Sequence, residues 1–179
     1  VLLSVFVVLW VGLGWAWGCV VVVWVVGVGS TVLGEAALLG VPAIALSQFY
    51  GPRNVQLDDK FETARAHGLD CVRTILDKAP WDKTDYGMFY NVNFPPVPAA
   101  EVKGMRAVRQ GYRGDGRFGM KPADAPSGRT FLWITGANQQ DPSGAETDAT
   151  VNLEGYISVT PMRADLTAHD ALEALKAAL

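Results

Sequence analysis

The first 34 residues carry no charged side chain, and this feature limits how the chain can fold more than any other. Twelve of the first 28 residues are valine, and four of the chain's six tryptophans lie among them. The run exceeds the roughly 20 apolar residues that a helix needs to cross a bilayer. Valine-rich runs are also typical of strands buried in a parallel sheet. The segment therefore predicts either a membrane span or buried strands.

A third interpretation is that this segment is not a genuine protein sequence. Valine, glycine and tryptophan have codons rich in G and T, so a misread frame gives the same mixture. The chain begins with Val1 rather than methionine, which indicates a fragment. The segment lacks the basic start of a secretory signal, and no lysine or arginine precedes Arg53 to set a membrane orientation. We favour this third interpretation, with residues 1–28 as an aberrant hydrophobic segment before a domain of residues 29–179.

The rest of the chain alternates predicted helices with apolar strands, which favours an α/β layered domain with a largely parallel sheet. A hairpin arm over about 111–137 is added to it, and such arms serve oligomer contacts because a lone hairpin is marginal in water. The predicted elements are a helix over 32–39 capped by Ser30 or Thr31, a strand over 43–47, a helix from Asp58 or Asp59 to Lys78, strands over 88–95 and 105–110, a hairpin of 117–120 and 129–135 around a polar tip at 121–128, a helix from Thr147 or Asp148 to Leu153, a strand over 155–162 and a helix over 165–179.

Charge and cysteine usage exclude some classes of function. The formal net charge is −3, which argues against a broad nucleic-acid surface. Cys19 and Cys71 form no C-x-x-C pair, which fits a reducing compartment. His67 and His169 have no metal-ligand spacing to each other.

Gly29, Ser30 and Thr31 form a small-residue turn directly before the first predicted helix. Unpaired N–H groups at a helix N-terminus bind phosphate, and small residues let the ligand approach the backbone. The same three residues also suit an ordinary helix cap. From the residues alone such a turn is usually an ordinary helix cap, and it is also a candidate phosphate site.

Other polar residues have both a functional and a structural interpretation. Asn91 and Asn93 alternate on one predicted strand and face the same side, either toward a substrate or toward neighbouring loops. The adjacent carboxylates Asp58 and Asp59 point apart at a helix start, which favours capping over metal binding. A basic run could attract phosphate, but a solvated face or a subunit contact explains it as well; its members are Arg106, Arg109, Arg113 and Arg117.

Three motifs in chain order resemble the SurE family of metal-dependent nucleotidases. The first is GSTVLGEAALLGVPAIALSQ at 29–48, the second FYNVNFPP at 89–96, and the third TDATVNLEGYISVTPMRADLTAHDAL at 147–172. The residues that match the family pattern in the first motif are Thr31, Val32, Glu35, Gly40, Pro42, Ile44, Ala45 and Ser47.

This resemblance implies a Rossmann-like, three-layer α/β fold whose hairpin arm and C-terminal helix mediate homodimers or tetramers. It implies hydrolysis of 5′- and 3′-nucleoside monophosphates in the cytoplasm, assisted by Mn²⁺ or Mg²⁺, with Gly29, Ser30 and Thr31 at the phosphate. Some members also trim short polyphosphate.

The chain departs from the family in two places. The family's N-D-D-G and S-G-x-N motifs, which hold the metal, have no counterpart, since no aspartate precedes Asp58 and no asparagine precedes Asn54. The phosphate turn reads Gly-Ser-Thr where the family reads Ser-Gly-Thr. We therefore expect a nucleotidase whose N-terminal half is missing and which is inactive on its own. The alternative is a membrane-anchored or oligomerisation module without catalysis.

Overall fold

The computed structural model describes residues 4–13, 16–25, 30–49, 51, 53–81, 86–112, 119–135 and 141–179. The strands are β1 Ser4–Leu13, β2 Ala16–Val25, β3 Ala43–Gln48, β4 Phe89–Phe94, β5 Met105–Ala107, β6 Gly119–Asp124, β7 Thr130–Thr135 and β8 Ile157–Met162. The helices are α1 Ser30–Leu38, α2 Glu62–Lys78, α3 Asp148–Leu153 and α4 His169–Ala178, and Ala99–Glu101 forms one 3₁₀ turn.

Six strands form one sheet in the order β1-β2-β3-β4-β8-β5. The pairs β2–β3 and β5–β8 are parallel, with Val21 opposite Ala43 and Met105 opposite Ile157, whereas β1 and β2 are antiparallel. Strands β6 and β7 form a separate antiparallel pair. The predicted α/β class with a largely parallel sheet is confirmed.

The uncharged segment at the start of the chain forms strands β1 and β2. Among the residues that the structure describes, no helix is long and apolar enough to cross a membrane. Strands were one of the three interpretations of this segment. That residues 1–28 derive from a misread frame stays a hypothesis.

Several element boundaries differ from those predicted. Helix α1 begins at Ser30, two residues before the predicted start. Helix α2 begins at Glu62, three residues after Asp59, whose carboxylate accepts the N–H of Phe61 as the predicted cap does. Strand β5 ends at Ala107, and helix α4 begins at His169 rather than at 165.

The hairpin also differs from its prediction. Residues 121–124 were expected in the polar tip, but they belong to β6, where Lys121 pairs with Trp133 and Asp124 with Thr130. A two-stranded sheet has two free edges, so Pro122 can occupy β6 without removing a ladder hydrogen bond that the pair needs. The tip is correspondingly shorter.

The chain divides into two compact units. The first contains Val1–Ser47, His67–Val92 and Pro161–Leu179, and the second contains Gln48–Ala66 and Asn93–Thr160. The core of the first unit is an apolar cluster of small and large side chains; its members are Leu33, Ala37, Ala43, Ala45 and Phe89. The second unit buries apolar side chains such as Phe94 and Ile157 together with several polar ones.

Candidate functional site

Helix α1 is held in place by close packing within the first unit. Leu33 and Ala37 are buried in the cluster that also contains Phe89 at the start of β4. Gly87 has a φ of +55°, and a Cβ there would lie 2.5 Å from the carbonyl oxygen of Ala37. Glycine is therefore required where the chain passes the helix backbone before entering β4. The position of α1 is thus fixed by both side chains and backbone.

The N-terminus of α1 lies at the turn that the sequence predicts as a candidate phosphate site. Its first turn contains no acidic side chain, so no carboxylate opposes the positive end of the helix dipole. The first N–H groups of a helix have no partner within the helix. The structure places Ser30 and Thr31 in this first turn, while Gly29 lies outside the described residues. This turn is the candidate phosphate site.

The two candidate asparagines lie at alternate positions on β4. Asn91 and Asn93 are half-buried, whereas Val92 and Phe94 between and after them are fully buried. The backbone carbonyl of Asn93 accepts a hydrogen bond of 2.9 Å from Nδ2 of Asn152 in α3. The main chain at Asn93 thus has a structural contact, and the asparagine side chains stay candidates for substrate contact.

Sequence reasoning missed Gln48 at the end of β3. Its Nε2 donates to the carbonyl oxygens of Phe94 and Pro95 at 3.3 and 3.0 Å, and its Oε1 accepts the N–H of Ala64 at 3.2 Å. One side chain therefore links the end of β4 to the first turn of α2. In the sequence, the signal for this role is a single side-chain amide at the end of an otherwise apolar strand.

Asn54 was also missed. It is 0% exposed, its Oδ1 accepts the N–H of Gly51 at 2.9 Å, and its Nδ2 donates to the carbonyl oxygens of Phe49 and Lys60. A loop that has no regular backbone pairing needs such side-chain partners. Asn54 therefore fixes the loop between β3 and α2.

The charged candidates outside α1 have structural contacts. Asp59 pairs with Arg65 in the first turns of α2. Arg106 lies 3.7 Å from the ring centre of Tyr156 and 3.8 Å from the carboxylate of Glu154. His169 Nε2 lies 2.6 Å from Asp165 before α4. None of these arrangements marks a catalytic group.

The residues that the structure describes do not fit a divalent metal ion. Mn²⁺ and Mg²⁺ need several oxygen ligands, chiefly carboxylates. Among the described residues, no group of three or more histidine, cysteine, aspartate or glutamate side chains is close enough to hold a metal. We therefore assign no metal ligands to the described residues.

A layered α/β domain with a largely parallel sheet defines the class of Rossmann-like proteins. A family model described as "Survival protein SurE" matches residues 27–116. The chain belongs to the SurE family, and the predicted resemblance is confirmed.

Curated relatives support the same assignment. The chain is 63% identical over 145 residues to a protein named 5′-nucleotidase SurE from Ruegeria pomeroyi, which covers 81% of this chain and 56% of that protein. It is 62% identical over 148 residues to a protein of the same name from Jannaschia sp. strain CCS1, again covering 81% and 56%. The chain thus spans about half the length of the curated relatives it matches.

A solved structure confirms the fold. The SurE protein from Aquifex aeolicus superimposes with a TM-score of 0.59 at 29% sequence identity. The match covers 82% of this chain and 55% of that protein. The described α/β architecture is therefore the SurE fold, as the sequence motifs predicted.

Proposed function

We propose that this chain is part of a nucleotidase that hydrolyses 5′- and 3′-nucleoside monophosphates. The observation that carries the proposal is the 63% identity, over 81% of the chain, to a protein named 5′-nucleotidase SurE. The reaction class is that of a phosphoric monoester hydrolase.

In this proposal, the first turn of α1 binds the phosphate of the substrate. The backbone N–H groups at Gly29, Ser30 and Thr31 donate to its oxygens, and the two hydroxyls add further donors. Asn91, which lies in the same unit as α1, contacts the rest of the nucleotide from β4. The exchanged order of glycine and serine leaves the backbone donors unchanged, because every residue of the turn contributes its own N–H.

The resemblance also implies a Mn²⁺ or Mg²⁺ ion. The described residues do not offer it a carboxylate cluster, so we assign it no ligand in this chain and no step of the reaction. We therefore propose that the 179-residue chain alone does not hydrolyse nucleotides. The proposed binding of phosphate at α1 uses backbone N–H groups, so it does not depend on whether the chain holds a metal ion.

Phosphate release from AMP tests the proposal in two arms. The chain alone, with 1 equivalent or excess Mn²⁺, should release no phosphate above the level seen with EDTA. A chimera that joins the portion of the Ruegeria pomeroyi relative preceding the match to residues 29–179 of this chain should release phosphate in an EDTA-sensitive manner. A folded but inactive chimera would contradict the nucleotidase assignment, and EDTA-sensitive release by the chain alone would contradict its inactivity.

We further propose that the protein assembles as a homodimer or tetramer in the cytoplasm. The arm formed by β6 and β7 exposes apolar side chains on a two-stranded sheet, a surface that is marginal unless covered. These side chains are Met120, Phe131, Leu132 and Trp133. Helix α4 has no buried residue and leaves Leu175 exposed, which offers a second contact. With a net charge of −3 we assign no nucleic-acid partner.

A further inference from the structure

Strand β1 is the first strand in the order of the six-stranded sheet, and its outer edge has no neighbouring strand among the described residues. It pairs on one side only, antiparallel to β2, from Ser4 opposite Val25 to Leu13 opposite Ala16. In an antiparallel ladder, successive residues of a strand direct their N–H and C=O groups alternately to its two sides. About half of the backbone groups of β1 therefore point away from β2, toward an open edge.

The sequence of β1 lacks the features that usually protect an open edge. The strand SVFVVLWVGL is ten residues long and contains no charged residue and no proline. Natural edge strands are kept short, carry charges or contain proline, because an unprotected edge accepts another strand. Valine and aromatic residues, which favour strands, make up most of β1. This edge therefore has the properties of a strand-pairing surface.

The strand at the other end of the sheet order, β5, differs from β1 in each of these respects. It contains only three residues, Met105–Ala107, and all three are exposed. Arg106 at its centre is charged, and its guanidinium lies 3.7 Å from the ring centre of Tyr156. A short edge with a charged side chain is a poor site for a further strand. Of these two strands, β1 is the one suited to accept another strand.

A second copy of this chain is the partner that fits the edge of β1. Two identical uncharged strands can pair antiparallel about a two-fold axis without bringing like charges together. Pairing along the whole strand forms about ten backbone hydrogen bonds, as many as a typical protein–protein interface contains. It places Val8 opposite Leu9 of the second copy. A charged peptide would lose solvation at this edge, because β1 offers it no opposite charge.

We propose that β1 is an interaction surface that pairs edge to edge with β1 of a second copy of this chain. The pairing closes at two copies, because β2 already occupies the other side of each β1. This contact goes beyond the proposed assembly through the β6–β7 arm and α4, and it uses neither of them. It depends only on the uncharged segment at the start of the chain.

Hydrogen exchange of the full 179-residue chain tests the contact without any substitution. In a sample that light scattering shows to be associated, the outward amides of β1 should exchange about tenfold more slowly than in a dilute monomeric sample, because pairing gives each a carbonyl partner. The amides of β5 should not change. Fast exchange of the outward β1 amides in an associated sample overturns the contact and leaves the arm as the surface of assembly. A chain that stays monomeric overturns it as well.

Two oppositely charged double variants test the identity of the partner. One carries Val8→Lys and Leu9→Lys, and the other carries Val8→Glu and Leu9→Glu, so that like charges face each other when either variant pairs with itself. We expect each variant alone to pair through β1 about tenfold more weakly than the parent chain. An equimolar mixture should recover to within about threefold of the parent, because opposite charges then meet. Met105→Lys, at the exposed β5 edge, is the control and should stay within about twofold of the parent.

The remaining outcomes all decide the proposal. Charged variants that pair as well as the parent overturn it. A mixture no better than either variant alone overturns it when both variants keep the circular dichroism of the parent; where the spectra differ, the exchange experiment on the parent chain decides. Protection of the β1 amides that requires phospholipid vesicles overturns it in favour of a lipid surface. Growth of fibres through β1 overturns the closed pair.

Discussion

The two units of the molecule bury different chemistry. In the first unit the described core is apolar, with Leu33, Ala37 and Phe89 at its centre and the hydroxyl of Tyr90 directed to the carbonyl oxygen of Pro80. Among the described residues, the other buried polar side chains all belong to the second unit: Gln48, Asn54, Thr63, Thr147, Asn152, Ser158 and Thr160.

This difference predicts different tolerance to substitution. An apolar core accepts side chains of similar volume, because dispersion contacts are not directional. A buried amide or hydroxyl fixes loops through specific partners, and each partner becomes unsatisfied when the side chain is changed. The first unit supports α1 by shape, whereas the second unit holds its loops by hydrogen bonds.

The largest expected effect compares Asn54→Leu with Leu33→Met. Leucine has the branched shape of asparagine but is larger, and it leaves Gly51 N–H and two carbonyl oxygens without a partner, which should cost about 3–4 kcal/mol of unfolding free energy. Leu33→Met keeps volume and polarity at a site that is 0% exposed and should cost less than about 1.5 kcal/mol. Urea titrations measure both values. Equal losses would remove the distinction between the two cores.

The next prediction concerns a place in the first unit where two stretches of backbone lie too close together for a side chain to fit between them. Gly87→Ala places a Cβ 2.5 Å from the carbonyl oxygen of Ala37 and should cost about 2–3 kcal/mol. Gly40→Ala is the matched control, because Gly40 also has a positive φ of +72° but nothing within 4 Å of its Cβ position. It should cost about 1 kcal/mol from backbone strain alone. Thermal unfolding measures both variants. An equal loss of unfolding free energy in Gly87→Ala and Gly40→Ala would contradict the close approach of Gly87 to α1.

Two buried hydroxyls of the second unit differ from its other buried polar side chains because they have no hydrogen-bond partner among the described residues. Ser158 Oγ and Thr160 Oγ1 are buried on β8 and have no hydrogen-bond partner among the described residues. Replacing an unsatisfied hydroxyl by a methyl group of the same shape removes a desolvation cost. Thr160→Val should therefore be neutral or stabilise the fold by up to about 1 kcal/mol, in contrast to Asn54→Leu. A clear destabilisation by Thr160→Val in the same urea titration would show that this hydroxyl is satisfied.

The smallest expected effect is a pH dependence of stability that comes from Asp165, just before α4. Hydrogen bonds from the Thr167 side chain and backbone, followed by His169, lower the pKa of Asp165 from 3.8 to about 2. A carboxylate whose pKa is lower in the folded state stabilises that state above pH 3.8 and loses this contribution as the pH falls through about 2. An NMR titration of the Thr167 amide should follow this pKa, and the step should vanish in Asp165→Asn. A midpoint near 3.8 would contradict the hydrogen bonds.

The sequence predicts the secondary structure and family well because both depend on local patterns. The alternation of helices with apolar strands and the motif at 29–48 were enough for the α/β class. The hydrogen bond from the Gly111 N–H to Asp148 Oδ1, which joins residues 37 apart, could not be predicted, because it depends on tertiary structure and not on a local pattern. The same holds for Gln48, whose partners Phe94 and Pro95 lie 46 and 47 residues away.

Element ends were predicted less accurately than element types. Residues 121–124 look like a polar turn in sequence, yet cross-strand pairing with 130–133 makes them a strand. Residues 165–168 continue the helical pattern of α4, but Asp165 accepts the N–H of Thr167 and holds a turn there instead. In both cases a specific hydrogen bond overrides the local preference.

The most direct test of the proposed phosphate site is an NMR titration of the 179-residue chain, labelled with ¹⁵N, with AMP, inorganic phosphate and adenosine in the absence of metal. AMP and phosphate should shift the amide signals of Ser30, Thr31 and Val32 at the start of α1 in a saturable manner, and adenosine should not. Unchanged amides at these three residues with AMP and phosphate, or equal shifts with adenosine, would contradict the assignment of this turn as the phosphate site.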